Sequence, residues 1–438
     1  MKAGSLALLS GFAAIIALAG CSGSGGSSAG STSTTGGIAA NGGAKKKLVI
    51  AWAQWDPAVQ LETLCKDYTT ETGTEVQVLQ IPWGQFEDKV KLAWTNKSAE
   101  YDMIVGDSQW LGTAATNGHY VDLTDWAKDN VTLDDIEPAS LKNYGEYEGK
   151  MWALPCMSDA LGFAYRKDMF EDKANMTAFK AKYGHDLAPP KTWAEFQHVA
   201  EFFTHADKKQ YGAALFYSKL YDGATMGFEP VLWSYGGDWN NLESPEAQKA
   251  LEYYVGLKKF CPPNAETFYF DESLRAYQQG QVAMAECWFA FFPGLTDKTK
   301  NPHADNTGYF VVPAGPKGQF VSLGGQGISI SSYSAQQDES KKFIAWLEKE
   351  ETQAKWVALG GLTSNKKVAS TDAFKAATPY NETFAKSSPF LKDFDNSPNY
   401  SRLMQITQTQ INDAVAGGVT PAEALKAAAQ QMKEASQD

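Results

Sequence analysis

Apolar positions from residue 48 onward follow two alternating periods. Leu48, Val49, Ile50, Ala51 and Trp52 make a short unbroken apolar run, the pattern of a buried strand. Pro57 then suits a first helical turn. Leu61, Leu64, Cys65 and Tyr68 follow at i, i+3, i+4 and i+7, and Gly73 is placed to stop the helix. Val76, Val78 and Ile81 alternate roughly as a strand, Phe86, Val90, Ala93 and Trp94 return to helical spacing, and Met103-Ile104-Val105 runs into Gly106-Asp107. The order β-α-β-α-β predicts an α/β fold, a mainly parallel sheet with helices on its faces. Ligands of such folds sit beyond the carboxyl ends of the strands, here Gln54 to Asp56, Pro82 to Trp83 and Asp107 to Trp110. The pattern restarts after Pro155, with a strand over Leu161 to Tyr165 and a helix from Thr192, where Thr192 and Glu195 form a capping box. A second lobe therefore begins near that point. No fixed-period repeat is present, which argues against solenoids and propellers.

The first 45 residues are built differently. Lys2 precedes a largely apolar run from Leu6 to Leu18, and small residues lead to Cys21 in the string LAGC. This is the layout of a secretory signal peptide over residues 1–20, too short to span a bilayer as a mature helix. LAGC resembles a bacterial lipobox, which makes Cys21 the acylated first residue of the mature chain. Residues 22–43 are almost entirely Gly, Ser, Thr and Ala, so residues 21–45 read as lipidated Cys plus tether. Gly26-Ser27-Ser28-Ala29-Gly30 matches the hydrolase pattern G-x-S-x-G, but the strand before it and helix after it that the motif needs are missing from the pattern.

Composition narrows the function. The chain has 438 residues, a formal charge of −12 and 43% hydrophobic residues, enough for two full cores. The acidic balance argues against nucleic acid, whose phosphates call for Lys and Arg. Cys65, Cys156, Cys261 and Cys287 permit three disulfide connectivities or none. The five histidines form no close sequence pair, so a metal-capturing lipoprotein is a poor reading, and no cofactor is indicated. No phosphate-binding P-loop occurs, so an energy source must lie in a partner. A carbohydrate-cleaving enzyme is the other rival, because paired carboxylates do acid and nucleophile work. Carboxylates and aromatic rings are equally what plain sugar binding needs: acceptors for rim hydroxyls and flat faces for C–H groups. Trp55, Trp83, Trp110 and Trp288 sit at predicted strand exits or equivalent turns and are candidates, with Trp233 a further one. Trp94, Trp346 and Trp356 lie on helical apolar stripes and read as core.

Five strings in register carry a family resemblance: YDMIVGDSQW, ALGFAYRKDMF, PPKTWAEF, YQQGQVAMAECW and GGVTPAEALKAAAQQM. The chain resembles the extracellular solute-binding proteins that include maltose-binding protein. The resemblance implies a two-lobed type II periplasmic-binding fold with the ligand in the cleft at the hinge. The first lobe would take residues 46–157 and 313–362, the second 158–312 and 363–438. It also implies a non-enzymatic, monomeric lipoprotein at the outer face of a membrane that captures a sugar or polyol, closes by hinge motion and serves the membrane subunits of an ABC importer. The residue before ALGFAYRKDMF is a sugar-binding carboxylate in maltose-binding relatives, here Asp159. The segment after the third strand supplies polar and aromatic contacts, here Asp107, Gln109 and Trp110, with Trp110 replacing a basic residue of the family. Gln54 at the first strand exit and Gly325 in the returning segment complete the candidate set.

Overall fold

The computed structural model describes residues 47–394 and 396–436, so the signal peptide, Cys21 and the tether lie outside the described residues. Eleven strands form among them: β1 (Lys47–Ala53), β2 (Glu75–Ile81), β3 (Met103–Asp107), β4 (Glu146–Tyr147), β5 (Lys150–Met151), β6 (Leu154–Arg166), β7 (Tyr211–Ala214), β8 (Val282–Trp288), β9 (Thr307–Val311), β10 (Val321–Ile330) and β11 (Leu391–Lys392). β4 and β5 pair separately, and the other nine make one sheet whose main path is β2-β1-β3-β10-β6-β8-β7.

The apolar runs become strands where the periodicity places them. β1 lies parallel to β2 and β3, joined by the helices Asp56–Thr72 and Trp83–Thr95. Gly73 ends the first helix at φ 78, a left-handed conformation in which glycine has no side-chain penalty. The capping box of Thr192 and Glu195 opens the helix Trp193–Phe202. The sheet as a whole is mixed. β7 is parallel to β8, but β6 and β10 run antiparallel to one another, β10 antiparallel to β3 and β6 antiparallel to β8.

β6 and β10 carry the chain between two hydrophobic cores. The first core gathers β1, β2, β3, Leu154 and Met157 of β6, Ile328 and Ile330 of β10, and residues such as Phe343, Trp346 and Trp356. The second takes over at Ala160, Leu161 and Phe163 of the same strand β6 and includes Val321 of β10. Each fully buried Leu, Ile or Phe contributes about 1.5–3 kcal/mol, so each lobe has its own source of stability. Trp94, Trp346 and Trp356 are all core. The four cysteines are buried free thiols. Among the described residues no helix is long and apolar enough to cross a membrane.

Candidate ligand-binding cleft

The cleft is made where strands stop and helices start. β1 ends at Ala53 and the next helix begins at Asp56, leaving Trp55 in the turn. Trp83 begins the helix after β2, and Asp107 caps the helix Ser108–Thr116 after β3. These three turns face Tyr221, Asp222, Tyr269, Phe270, Trp288 and Phe291 of the second lobe across a cavity of about 360 Å³. Its floor is the segment from Leu323 to Gln326 of β10, together with Asp159 of β6.

Aromatic rings form the walls. Trp55 meets Trp83 edge to face at 5.1 Å and Phe291 at 5.6 Å, while Tyr221 stands 6.0 Å from Trp83. Phe270 stacks on Phe291 at 4.2 Å. The indole N–H groups of Trp55 and Trp83 are buried without a hydrogen-bond partner.

Three carboxylates line the same space. Asp107 Oδ1 accepts from the Gln109 backbone N–H at 3.3 Å, and its Oδ2 accepts from the Tyr221 hydroxyl at 3.2 Å. Asp222 accepts from the Tyr269 hydroxyl and, at 3.3 Å, from the Gln109 side-chain amide, so Gln109 ties one lobe to the other. Asp159 Oδ1 accepts from the backbone N–H groups of Ala160 at 2.8 Å and Ala290 at 3.1 Å. Burial pushes all three upward, Asp107 to about 6 and Asp159 and Asp222 to about 8. Hydrogen bonds from Gln109, Gln326 and Tyr221 restrain the rise at Asp107, whereas the charge of Asp107 adds to that at Asp222. Among the described residues, no Lys, Arg or His lines the cavity.

Of the residues singled out from sequence, Trp55, Trp83, Asp107, Gln109, Asp159, Trp288 and Gly325 line this cavity. Three do not. Gln54 is exposed one residue short of Trp55. Trp110 is only 1% exposed and packs 5.1 Å from Phe86, in a helix that is buried everywhere except Thr113 and Thr116. Trp233 is 3% exposed, set in the helix Gly223–Tyr235 under the Lys392 ammonium at 4.6 Å, beside a separate polar pocket. The histidines do form one pair in space, His185 and His198 at 3.0 Å, but no group of three metal-capable side chains gathers among the described residues.

The sequence profile of the bacterial extracellular solute-binding proteins matches residues 50–354, more than half of the chain. The chain belongs to this family. Among curated proteins, this solute-binding protein is 24% identical over 314 residues to a probable amino-acid ABC transporter periplasmic-binding protein of Sinorhizobium fredii, covering 69% of this chain and 68% of that one. It is 27% identical over 270 residues to the mannitol-binding protein of Pseudomonas aeruginosa, covering 59% of this chain and 58% of that one, less than two thirds of its length. A solved ABC transporter solute-binding protein from Agrobacterium radiobacter, in complex with ribitol, superposes with a TM-score of 0.76 at 25% identity over 90% of this chain and 99% of that chain. The architecture is the two-lobed type II periplasmic-binding fold of these relatives.

Apart from Trp288, the second-lobe wall of the solute-binding protein is the part sequence reasoning missed. Tyr221 and Asp222 lie between β7 and the helix Gly223–Tyr235, and Tyr269 immediately precedes the helix Phe270–Gln278. The strand-exit rule that located Trp55 and Asp107 finds Tyr221 and Asp222 once β7 is recognised. β7 has only four residues, YGAA, too short and too small to stand out as an apolar run.

Proposed function

We propose that this chain is the ligand-capturing lipoprotein of an ABC importer, anchored through Cys21 at the outer face of the membrane and taking up a sugar or polyol as a monomer. The observation that carries the reading is the cavity itself, in which aromatic faces surround three carboxylates held by fixed donors. Polyol hydroxyls donate to carboxylates and accept from neighbouring donors, while C–H faces lie on the rings. Family membership and the ribitol- and mannitol-binding relatives support the same ligand class. An amino acid, the cargo named for the Sinorhizobium relative, would bring a carboxylate into a cavity lined by three others and by no basic side chain among the described residues. Carbohydrate cleavage would need one carboxyl poised as acid and another as nucleophile or base. Membership of a solute-binding family supports capture without cleavage, so a bound oligosaccharide is expected to be recovered uncleaved.

The lobes are assigned as residues 46–157 with 313–362 and residues 158–312 with 363–438, with the start of β10 at Val321 still packed in the second core, and they close about β6 and β10 on the ligand. The test is a melting-temperature screen against ribitol, mannitol, glucose and maltose, with small-angle scattering on the same samples. A true ligand at about 100 times its dissociation constant adds about 2.7 kcal/mol of stability and makes the particle more compact. If no polyol or sugar raises the melting temperature, the reading fails. The anchor has its own check: Cys21→Ala is expected to move the protein from the detergent phase to the aqueous phase, since acyl chains contribute about 0.8 kcal/mol per buried CH₂.

A further inference from the structure

Every hydrogen bond described for the cleft carboxylates comes from a neutral group. Asp107 is met by the Gln109 backbone and by the hydroxyls of Ser108 and Tyr221, Asp222 by Tyr269 and the Gln109 amide, and Asp159 by two backbone N–H groups. Gln109 touches both Asp107 and Asp222, which places those two acids in one neighbourhood where their charges repel. Trp55, Trp83 and Tyr221 line the same cavity. A neutral polyol can donate hydroxyls to such a site but compensates none of the charge on Asp107 and leaves Asp222 in the neutral form that burial favours. A protonated amine both donates and compensates.

We infer that the preferred ligand is an amino polyol or amino sugar, one protonated amine on a polyhydroxy frame without a carboxylate, with its ammonium between Asp107 and Asp222 and hydroxyls toward Asp159. The inference rests on the sugar or polyol reading of the cleft and narrows it. Burial alone favours the neutral form of Asp222, and a neighbouring ammonium returns it to the ionised form, in which a charge-assisted hydrogen bond is roughly twice as strong as a neutral one.

The experiment is calorimetric titration of the full-length chain in detergent at about pH 7 with matched pairs, glucamine against sorbitol and glucosamine against glucose. In at least one pair the amine is expected to bind about tenfold or more tightly, and Asp222→Asn and Asp107→Asn should each shrink that ratio. Melting curves without ligand establish that the variants are folded, and the ratio within one variant is insensitive to a general weakening of the cleft. If the hydroxyl compound binds as tightly as its amine in both pairs, this inference is overturned and the polyol reading stands. If no member of either pair binds, while the neutral screen also fails, both fall. An amine preference that persists undiminished in both variants overturns the placement of the ammonium.

Discussion

Asp159 shows how one residue can be both part of the frame and part of the site. One oxygen of its carboxylate holds the N–H groups of Ala160 and Ala290, fixing the middle of β6 to the turn after β8, while the side chain borders the cavity. Asp159→Ala leaves two backbone donors without that acceptor, at about 1–3 kcal/mol for each that stays buried and unpaired, so it is expected to lower the ligand-free melting temperature as well as abolish tight binding. Asp159→Asn keeps one acceptor oxygen. Its fold should survive while affinity falls about tenfold, about 1.4 kcal/mol, in calorimetric titration. Wild-type affinity in both variants would place ligand recognition elsewhere in the cleft. At this scale the string ALGFAYRKDMF was enough to single out Asp159, and strand exits were enough for Trp55 and Trp83. Trp110 escapes the same logic because exit position says where a backbone is, not which way a ring points, and here the ring packs on Phe86 inside a helix buried at nearly every position.

Among the elements, β10 is the most constrained. Gly325 adopts φ +107, and a Cβ there would stand 2.5 Å from the Met157 carbonyl oxygen and 2.6 Å from the Tyr144 hydroxyl. The β6–β10 register shifts at the very next step, between Gln326 and Gly327. Gly325→Ala is therefore expected to cost about 1–3 kcal/mol from backbone conformation alone, with further loss from the clash. Denaturant titration measures this, and a variant as stable as wild type would mean that the strand can relax without cost. Local periodicity made β1, β2, β3 and their helices legible. It could not reveal that β6 and β10 pair antiparallel, since Met157 and Gln326 are brought together by the topology of the whole chain and not by any pattern within either segment.

Over the whole molecule, buried acids set the response to pH. Asp159, Asp222, Glu286 and Glu348 are pushed up to about 8, Asp393 to about 7 and Asp107 to about 6, all chiefly by burial. In the unfolded chain such groups titrate at about 4, so through the interval up to about 8 the folded protein holds more protons than the unfolded one. Their contribution is fully present below the unfolded value and is lost as pH rises through the folded values. His119 and His303, held below their usual pKa by burial, act in the opposite sense but are fewer. The ligand-free melting temperature is therefore expected to rise between about pH 8 and about pH 5 in scanning calorimetry. A flat or falling profile over that range would contradict the burial of these carboxyls.

The interleaved cores also bear on synthesis. Ile328, Ile330, Phe343 and Trp356 complete the core that Leu48 and Ile50 begin, and nearly all of β6 to β9 is translated in between. Neither half of the molecule can finish until most of the polypeptide exists, and contacts so remote in sequence form slowly. If the chain is exported N-terminus first, as proposed above, that delay leaves the leading segment without its native core partners while it crosses the membrane.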